Sequence, residues 1–394
     1  MDYFKEEVEL IKEQGLFRKL KYLSKPQDKN TIIDGKEVFL MASSNYLGLA
    51  NDERLKRAVK EAVDKYGVGS GGARLTTGSY ELNKRLEETI AKFKHSKAAI
   101  VYNTGYMANV GTISAICDKD WVIFSDELNH ASIIDGCKLS KAKTIVYKHC
   151  DPSDLAKKIK EVNPKKALVV SDGVFSMDGD IAPVKELADI CEKHPNIYLM
   201  IDDAHATGVL GETGSGSAEY FDVEDKVDIK LGTLSKAVGA EGGYVAGSKY
   251  LIEFLRNKAR SFIFSTAMSP GIVAASIESL EIIKGMNEDR KRLAKNSKYL
   301  QKRLRDNGFN VIKSSTPIIS LIVGDEKTAI EYSKRLLEVG IYIPAIRPPT
   351  VKKGTSRLRI VLMSTHSEQD LKEALEKIIK IGIDLKVNTN KIKY

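Results

Sequence analysis

Seven short apolar runs, separated by stretches of helical pattern, constrain this chain more than any other feature. They are AAIVY, WVIF, TIVY, ALVVS, IYLMID, VDIKL and GYVAG, spread over residues 98–247. Runs this short and this apolar read as strands buried on both faces. Alternating with helices, they predict an α/β fold built on a doubly wound, mainly parallel seven-stranded sheet. Ahead of them, residues 1–45 read as an arm: a helix, a loop, and the β-like stretch TIIDGKEVFLMAS with Asp34-Gly35 as a hairpin turn. A large domain is expected over 46–285. After GIVAASIESLEIIKG the pattern changes to a charged helix and then the strands TPIISLIV and RLRIVLM, so a smaller α+β domain is expected over 286–394. No repeat or Pro/Gly/Ser linker is evident, so the parts should pack firmly together.

The chain has 394 residues and is 42% hydrophobic, ample for two cores. Its formal net charge of +9 raises the alternative of a nucleic-acid-binding protein. The basic residues, however, are spread through helices that also carry Glu and Asp, and no recognition helix or aromatic-basic platform is evident. A positive field also favours anionic small molecules, including phosphate- or coenzyme A-bearing ones. The four cysteines lack C-x-x-C spacing and read as reduced, mostly packed thiols. No signal-peptide h-region or membrane-length run is present, so cytoplasmic residence is expected, with no membrane partner and no metal.

Chemistry concentrates where IYLMID ends in Asp202, three residues before His205, with Lys236 following in GTLSKAVGAEGG. A lysine can bind pyridoxal 5'-phosphate through its aldehyde, a carboxylate at the pyridine nitrogen keeps the ring cationic, and an imidazole can orient either. Thr233 offers a hydroxyl beside Lys236, while Gly239, Gly242 and Gly243 leave room. In VYNTGYMANVGTISAI, a strand turns at Gly105 and Tyr106 into a helix whose first amides could cradle phosphate. The alternative is a plain strand-to-helix turn. His130, after WVIFS, could stack on a flat cofactor or simply cap a helix. Ser176, in VVSDGVFSMDGD, could bond a cofactor oxygen or stabilise a turn. GVGSGG contains G-x-G-x-x-G but follows a helical pattern ending at Tyr66, so it reads as a loop lining a site rather than a dinucleotide fingerprint. Arg359, inside an apolar strand, needs a partner: a substrate carboxylate or an internal acid.

In SSNYLGLA, GSGGARLTTG, LNHASIIDG, DGVFSMDGD, DDAHATGVLG, GTLSKAVGAEGG and RPPTV followed by RLRI, the chain resembles the α-oxoamine synthases over nearly its whole length. These are fold-type I, aspartate aminotransferase-like enzymes. The resemblance implies Lys236 as the covalent anchor, Asp202 at the pyridine nitrogen, His130 over the ring, and Ser176 and His205 at the ring hydroxyl. Gly105, Tyr106 and Thr233 would hold the phosphate, with Ser265 and Thr266 reaching in from a partner subunit of a homodimer with shared sites. Arg359 would grip the substrate carboxylate. Asn45, Ser70, Arg347 and Thr350 would shape the pocket, with Arg18 near the acyl thioester. The family reaction joins an amino acid to an acyl thioester with loss of CO2. Here L-alanine and a pimeloyl thioester, on coenzyme A or an acyl carrier protein, are expected; glycine with acetyl-CoA is the alternative. Lys352 and Asn103-Thr104 depart from the usual family residues.

Overall fold

The computed structural model describes residues 2–14 and 16–387, so Met1, Gly15 and the last seven residues of the expected small domain lie outside the described residues. The hairpin forms as expected: β1 (Asn30–Ile33) and β2 (Lys36–Leu40) pair around Asp34 and Gly35, both at positive φ. All seven apolar runs become strands of one sheet. They are β3 (Ala98–Tyr102), β4 (Val122–Asp126), β5 (Lys143–Tyr147), β6 (Ala167–Asp172), β7 (Ile197–Asp202), β8 (Ile229–Thr233) and β9 (Gly243–Gly247). Their order is β3-β9-β8-β7-β6-β4-β5, and β9 alone among them runs antiparallel to its neighbours.

Strand β6 shows why the runs are continuously apolar. Leu168 and Val170 face a cluster with Ile113, Ile252 and Leu255, whereas Ala167 and Val169 face another with Leu155, Ile159 and Leu187. Both faces are covered by helices, so no position is left for a polar residue until the strand ends. There, β6 and β7 finish in register on Asp172 and Asp202.

The C-terminal part follows the same logic at smaller scale. Strands β10 (Ile318–Gly324), β12 (Ala345–Ile346) and β13 (Ser356–Val361) form an antiparallel sheet in the order β10-β13-β12, packed by helices 287–306, 326–338 and 368–384. The last helix starts with a reciprocal capping box between Ser367 and Asp370. A two-residue strand, β11 (Ile341–Tyr342), pairs parallel with β2, so the N-terminal hairpin is stitched to the C-terminal part. One buried cluster runs from Met41 and Tyr46 through Leu280 to Leu304 and Ile378. No helix of the described residues is long and apolar enough to cross a membrane.

Candidate active site

Five strand ends converge on a cavity of about 250 Å³ at the carboxyl edge of the sheet. Eight residues singled out above line it: Gly105, Tyr106, His130, Ser176, Asp202, His205, Thr233 and Lys236. Each sits on the last residue of a strand or in the loop or first helical turn beyond it, where the backbone leaves the sheet's hydrogen bonding and side chains can turn inward.

The ionisable groups are tuned by burial and by each other. Desolvation lowers Lys236 to about 8, against the pull of Asp202 and Asp172. The Asp202 carboxylate is fixed by two donors, Asn109 Nδ2 at 2.7 Å and the Ala204 amide at 2.9 Å. Burial pushes Asp172 well above the usual carboxylate range, and the Asp202 charge pushes it further. Asp172 also accepts the His130 amide at 2.7 Å. Burial holds His130 below the usual imidazole range, with Asp202 pulling upward and Lys236 adding to the fall. His130 Nδ1 accepts the Ser132 amide at 3.2 Å, which leaves its proton on Nε2. His205 is held well below that range by burial and then by Lys236 and Arg359; its Nδ1 lies 2.6 Å from the Tyr46 hydroxyl.

These residues fit pyridoxal phosphate. The helix Gly105–Ile116 is capped by the Thr104 hydroxyl, which takes the Met107 amide at 3.1 Å. The amides of Gly105 and Tyr106, one turn short of any helical acceptor, are left for an anion. A Cβ at Gly105 would stand 3.2 Å from Thr233 Cβ, so a side chain there would crowd that approach. Asn109 Oδ1, on the cavity wall, is buried without a partner. An amine, a buried carboxylate, neutral imidazoles and free helix amides are the donor set that aldehyde, pyridine nitrogen, ring and phosphate require.

The substrate-side residues divide. Arg359 is 8% exposed, and its Nε donates to the Ser176 carbonyl at 2.6 Å; among the described residues no carboxylate pairs with it. Its neighbour on the same strand face, Arg357, has taken the internal acid, Asp178. Arg18, Arg347 and Thr350 meet at a second cavity of about 620 Å³, where Arg18 donates to the Thr350 hydroxyl at 3.1 Å and Arg347 to the Phe17 carbonyl at 3.0 Å. Asn45 and Ser70 line neither cavity. Asn45 spends its amide on the Gln27 carbonyl and the Ala50 amide, both at 3.1 Å, and Ser70 its hydroxyl on the Ala267 carbonyl at 2.9 Å. The GVGSGG loop therefore packs beside Ala267 rather than lining the 250 Å³ cavity. Ser265 and Thr266 also stand outside it; the Thr266 carbonyl accepts Asn103 at 2.9 Å, and Lys352 reaches Glu127 at 3.3 Å.

Sequence reasoning missed Asp172, Asn109, Ser132 and Tyr46. The signal for Asp172 existed, because ALVVSD ends in an acid as IYLMID does. Tyr46 lay inside SSNYLGLA with no role attached. Asn109 in VYNTGYMANVGTISAI and Ser132 in LNHASIIDG likewise lay inside segments singled out above with no role attached.

A model of the family described as aminotransferase class I and II matches residues 36–378. An 8-amino-7-oxononanoate synthase of Lysinibacillus sphaericus is 50% identical over 385 residues, 98% of this chain and 99% of that protein. Among solved structures, a serine palmitoyltransferase of Sphingomonas wittichii matches with a TM-score of 0.92 at 33% identity, covering 98% of each chain. A serine palmitoyltransferase with PLP as its internal aldimine matches equally well, with a TM-score of 0.92 at 31% identity and 98% of each chain covered.

Proposed function

Because the chain belongs to the class I and II aminotransferase family, and within it to the 8-amino-7-oxononanoate synthases, we propose a division of labour for its residues in that reaction. The activity is a pyridoxal-phosphate-dependent condensation of L-alanine with a pimeloyl thioester. It gives 8-amino-7-oxononanoate, CO2 and free thiol, a step of biotin synthesis. The observation that carries the residue roles is the convergence of Lys236, Asp202 and free helix amides on one cavity.

When bound, the cofactor supplies an aldehyde that captures amines and a cationic ring that accepts the electron pair left at the substrate Cα. Lys236 would hold that aldehyde, and its side chain, when free, would be the base placed to take the alanine Cα proton. Its value of about 8 matters here. Such an amine is neutral near pH 7 far more often than an ordinary lysine. Asp202, locked by Asn109 and Ala204, keeps a carboxylate at the pyridine nitrogen. Gly105, Tyr106 and Thr233 would hold the phosphate, and Ser176 and His205 would serve the ring hydroxyl. His130 would face the ring, with its Nε2 proton available to the substrate's ketone oxygen. Arg359 takes the alanine carboxylate in a bidentate grip, which supplies the acid its own fold withholds.

Arg18, Lys19, Lys21, Lys334 and Arg347 surround the second cavity with positive charge, while Phe17, Leu337 and Pro344 give it apolar walls. A phosphate-bearing carrier with an acyl chain suits that combination, whether coenzyme A or an acyl carrier protein. Ser265 and Thr266, outside the cavity of their own chain, would serve that of a second copy in a homodimer. Four free cysteines accord with a cytoplasmic setting.

The test is an absorbance spectrum of the purified protein together with thiol release. A visible protein-bound cofactor band that vanishes in Lys236→Ala is expected, with faster release from alanine plus pimeloyl thioester than from glycine plus acetyl-CoA. A cofactor that borohydride still fixes covalently to the chain in Lys236→Ala would sink the assignment of Lys236.

A further inference from the structure

Outside the cofactor cavity, a second set of titratable side chains closes on itself. His149 follows β5, and its ring stands between two carboxylates: Nδ1 is 2.9 Å from Asp126 Oδ1, and Nε2 is 2.7 Å from Asp180 Oδ2. Asp126 ends β4, and its oxygens also accept the amides of Leu128 at 2.9 Å and Cys150 at 2.8 Å. Asp180 belongs to the hairpin over residues 173–183. An imidazole with a carboxylate at each nitrogen must donate from both, so it is a cation. Burial opposes that charge, but the bonds to Asp126 and Asp180 outweigh it and raise His149 to about 12.

Asp126, His149 and Cys150 stand close enough together to hold a metal ion. The hydrogen bonding argues against it, because an imidazole that donates from both nitrogens has no lone pair for a metal. Asp178 is a further charged group facing His149, and it is already paired with Arg357.

The cation's grip falls on the hairpin. Phe175 and Asp180 close it, with the Phe175 amide donating to the Asp180 carbonyl at 3.0 Å. Its tip touches both halves of the molecule. Ser176 lines the cofactor cavity while its carbonyl receives Arg359 at 2.6 Å, and the Gly179 carbonyl receives the hydroxyls of Ser314 at 2.6 Å and Thr316 at 2.8 Å. His149 therefore adds a side-chain tie between the end of the large sheet and the hairpin whose Ser176 carbonyl receives Arg359.

We propose that His149 is a positioning residue for the condensation: clamped as a cation between Asp126 and Asp180, it fixes the 173–183 hairpin so that the Ser176 carbonyl points Arg359 at the substrate carboxylate. This rests on the carboxylate-clamp role given to Arg359 above.

The experiment uses the holoenzyme with His149→Gln, Asp180→Asn, Arg359→Lys and the His149→Gln/Arg359→Lys double variant. Misplacing a binding group by about 1 Å can cost a hundredfold. For His149→Gln we expect a roughly tenfold rise in the alanine KM, kcat within about threefold of the parent, and an unchanged cofactor band; Asp180→Asn should move in the same direction. In the Arg359→Lys background, His149→Gln should change the alanine KM by less than about twofold, since both act through one contact. An alanine KM unmoved in both single variants, with only the melting temperature lowered, would make the cluster purely structural and overturn the proposal. So would the full tenfold effect persisting in the double variant. One equivalent of zinc in the purified protein, with a chelator reproducing the variant's KM, would overturn it in favour of a metal site. An unchanged alanine KM in Arg359→Lys alone would sink the clamp role itself, visibly apart from any effect of His149→Gln.

Discussion

The cofactor cavity and the cavity at the N-terminal arm are built on opposite principles. The smaller draws its walls from residues 104–236, each group on or just beyond a strand end of one rigid sheet. The larger is assembled across the chain, with Arg18 from the N-terminal arm meeting Arg347 and Thr350 more than 300 residues later. A site on sheet ends holds its groups with little motional freedom and suits bond making and breaking. One made of an arm and loops suits the capture of a long, flexible, charged partner. Substitutions in the first should therefore strike kcat, and those in the second KM. Lys236→Ala is the extreme case. Losing both the covalent anchor and the base should reduce kcat by at least about ten-thousandfold, read as thiol release under saturating substrates. A variant retaining a tenth of the parent kcat would break the contrast at its strongest point.

Asp202→Asn comes next. The amide keeps the shape but loses the charge set against a cationic ring, so kcat should fall by roughly a hundred- to a thousandfold with a blue- or red-shifted cofactor band. Should KM for the acyl donor change instead, the two cavities would not be chemically separate. Arg359→Lys sits between the regions, since its strand belongs to the small sheet while its charge acts on Lys236 and His205 of the cofactor cavity. Replacing a planar fork by a point charge should raise the alanine KM by about tenfold or more and leave kcat nearly intact. That intermediate behaviour, measured with alanine as the varied substrate, would sharpen the comparison.

The same division governs what could be read from the sequence. The central sheet strands were legible because they are buried on both faces and so are apolar almost throughout, and the half-exposed edge strand β5 because TIVY keeps its β-branched and aromatic residues. Asp202 stood out as the acid that ends such a run and Lys236 as a lysine among hydroxyls and glycines. Asp172 was equally placed, but an acid in VVSDG reads as turn chemistry, and only the register of β6 against β7 reveals that it stands beside Asp202. Arg357 and Arg359 lie two apart on one strand and so face one side. Which of them finds an acid depends on Asp178, remote in sequence, and no local pattern could decide it. Asn45 and Ser70 sit in strong motifs, yet their polar atoms are consumed by backbone groups nearby. Motif membership identifies a neighbourhood; whether a side chain is left over for a ligand is a tertiary fact.

Arg18 tests the weaker end of the comparison. It lies on the exposed arm and donates to the Thr350 hydroxyl across the larger cavity, so its charge acts through water rather than through a dry interior. An exposed cation contributes modestly and is screened over about 8 Å at physiological ionic strength. Arg18→Ala should therefore raise the KM for the pimeloyl thioester by only about two- to fivefold, with kcat and the alanine KM unchanged. The dependence on salt is the more telling readout. In the parent the acyl-donor KM should climb as ionic strength rises from about 0.01 M to about 0.5 M, because Arg18, Lys19, Lys21, Lys334 and Arg347 attract an anionic carrier together. Removing one of the five should flatten that slope without abolishing it. A slope identical to the parent's would mean that the acyl donor does not enter past the arm.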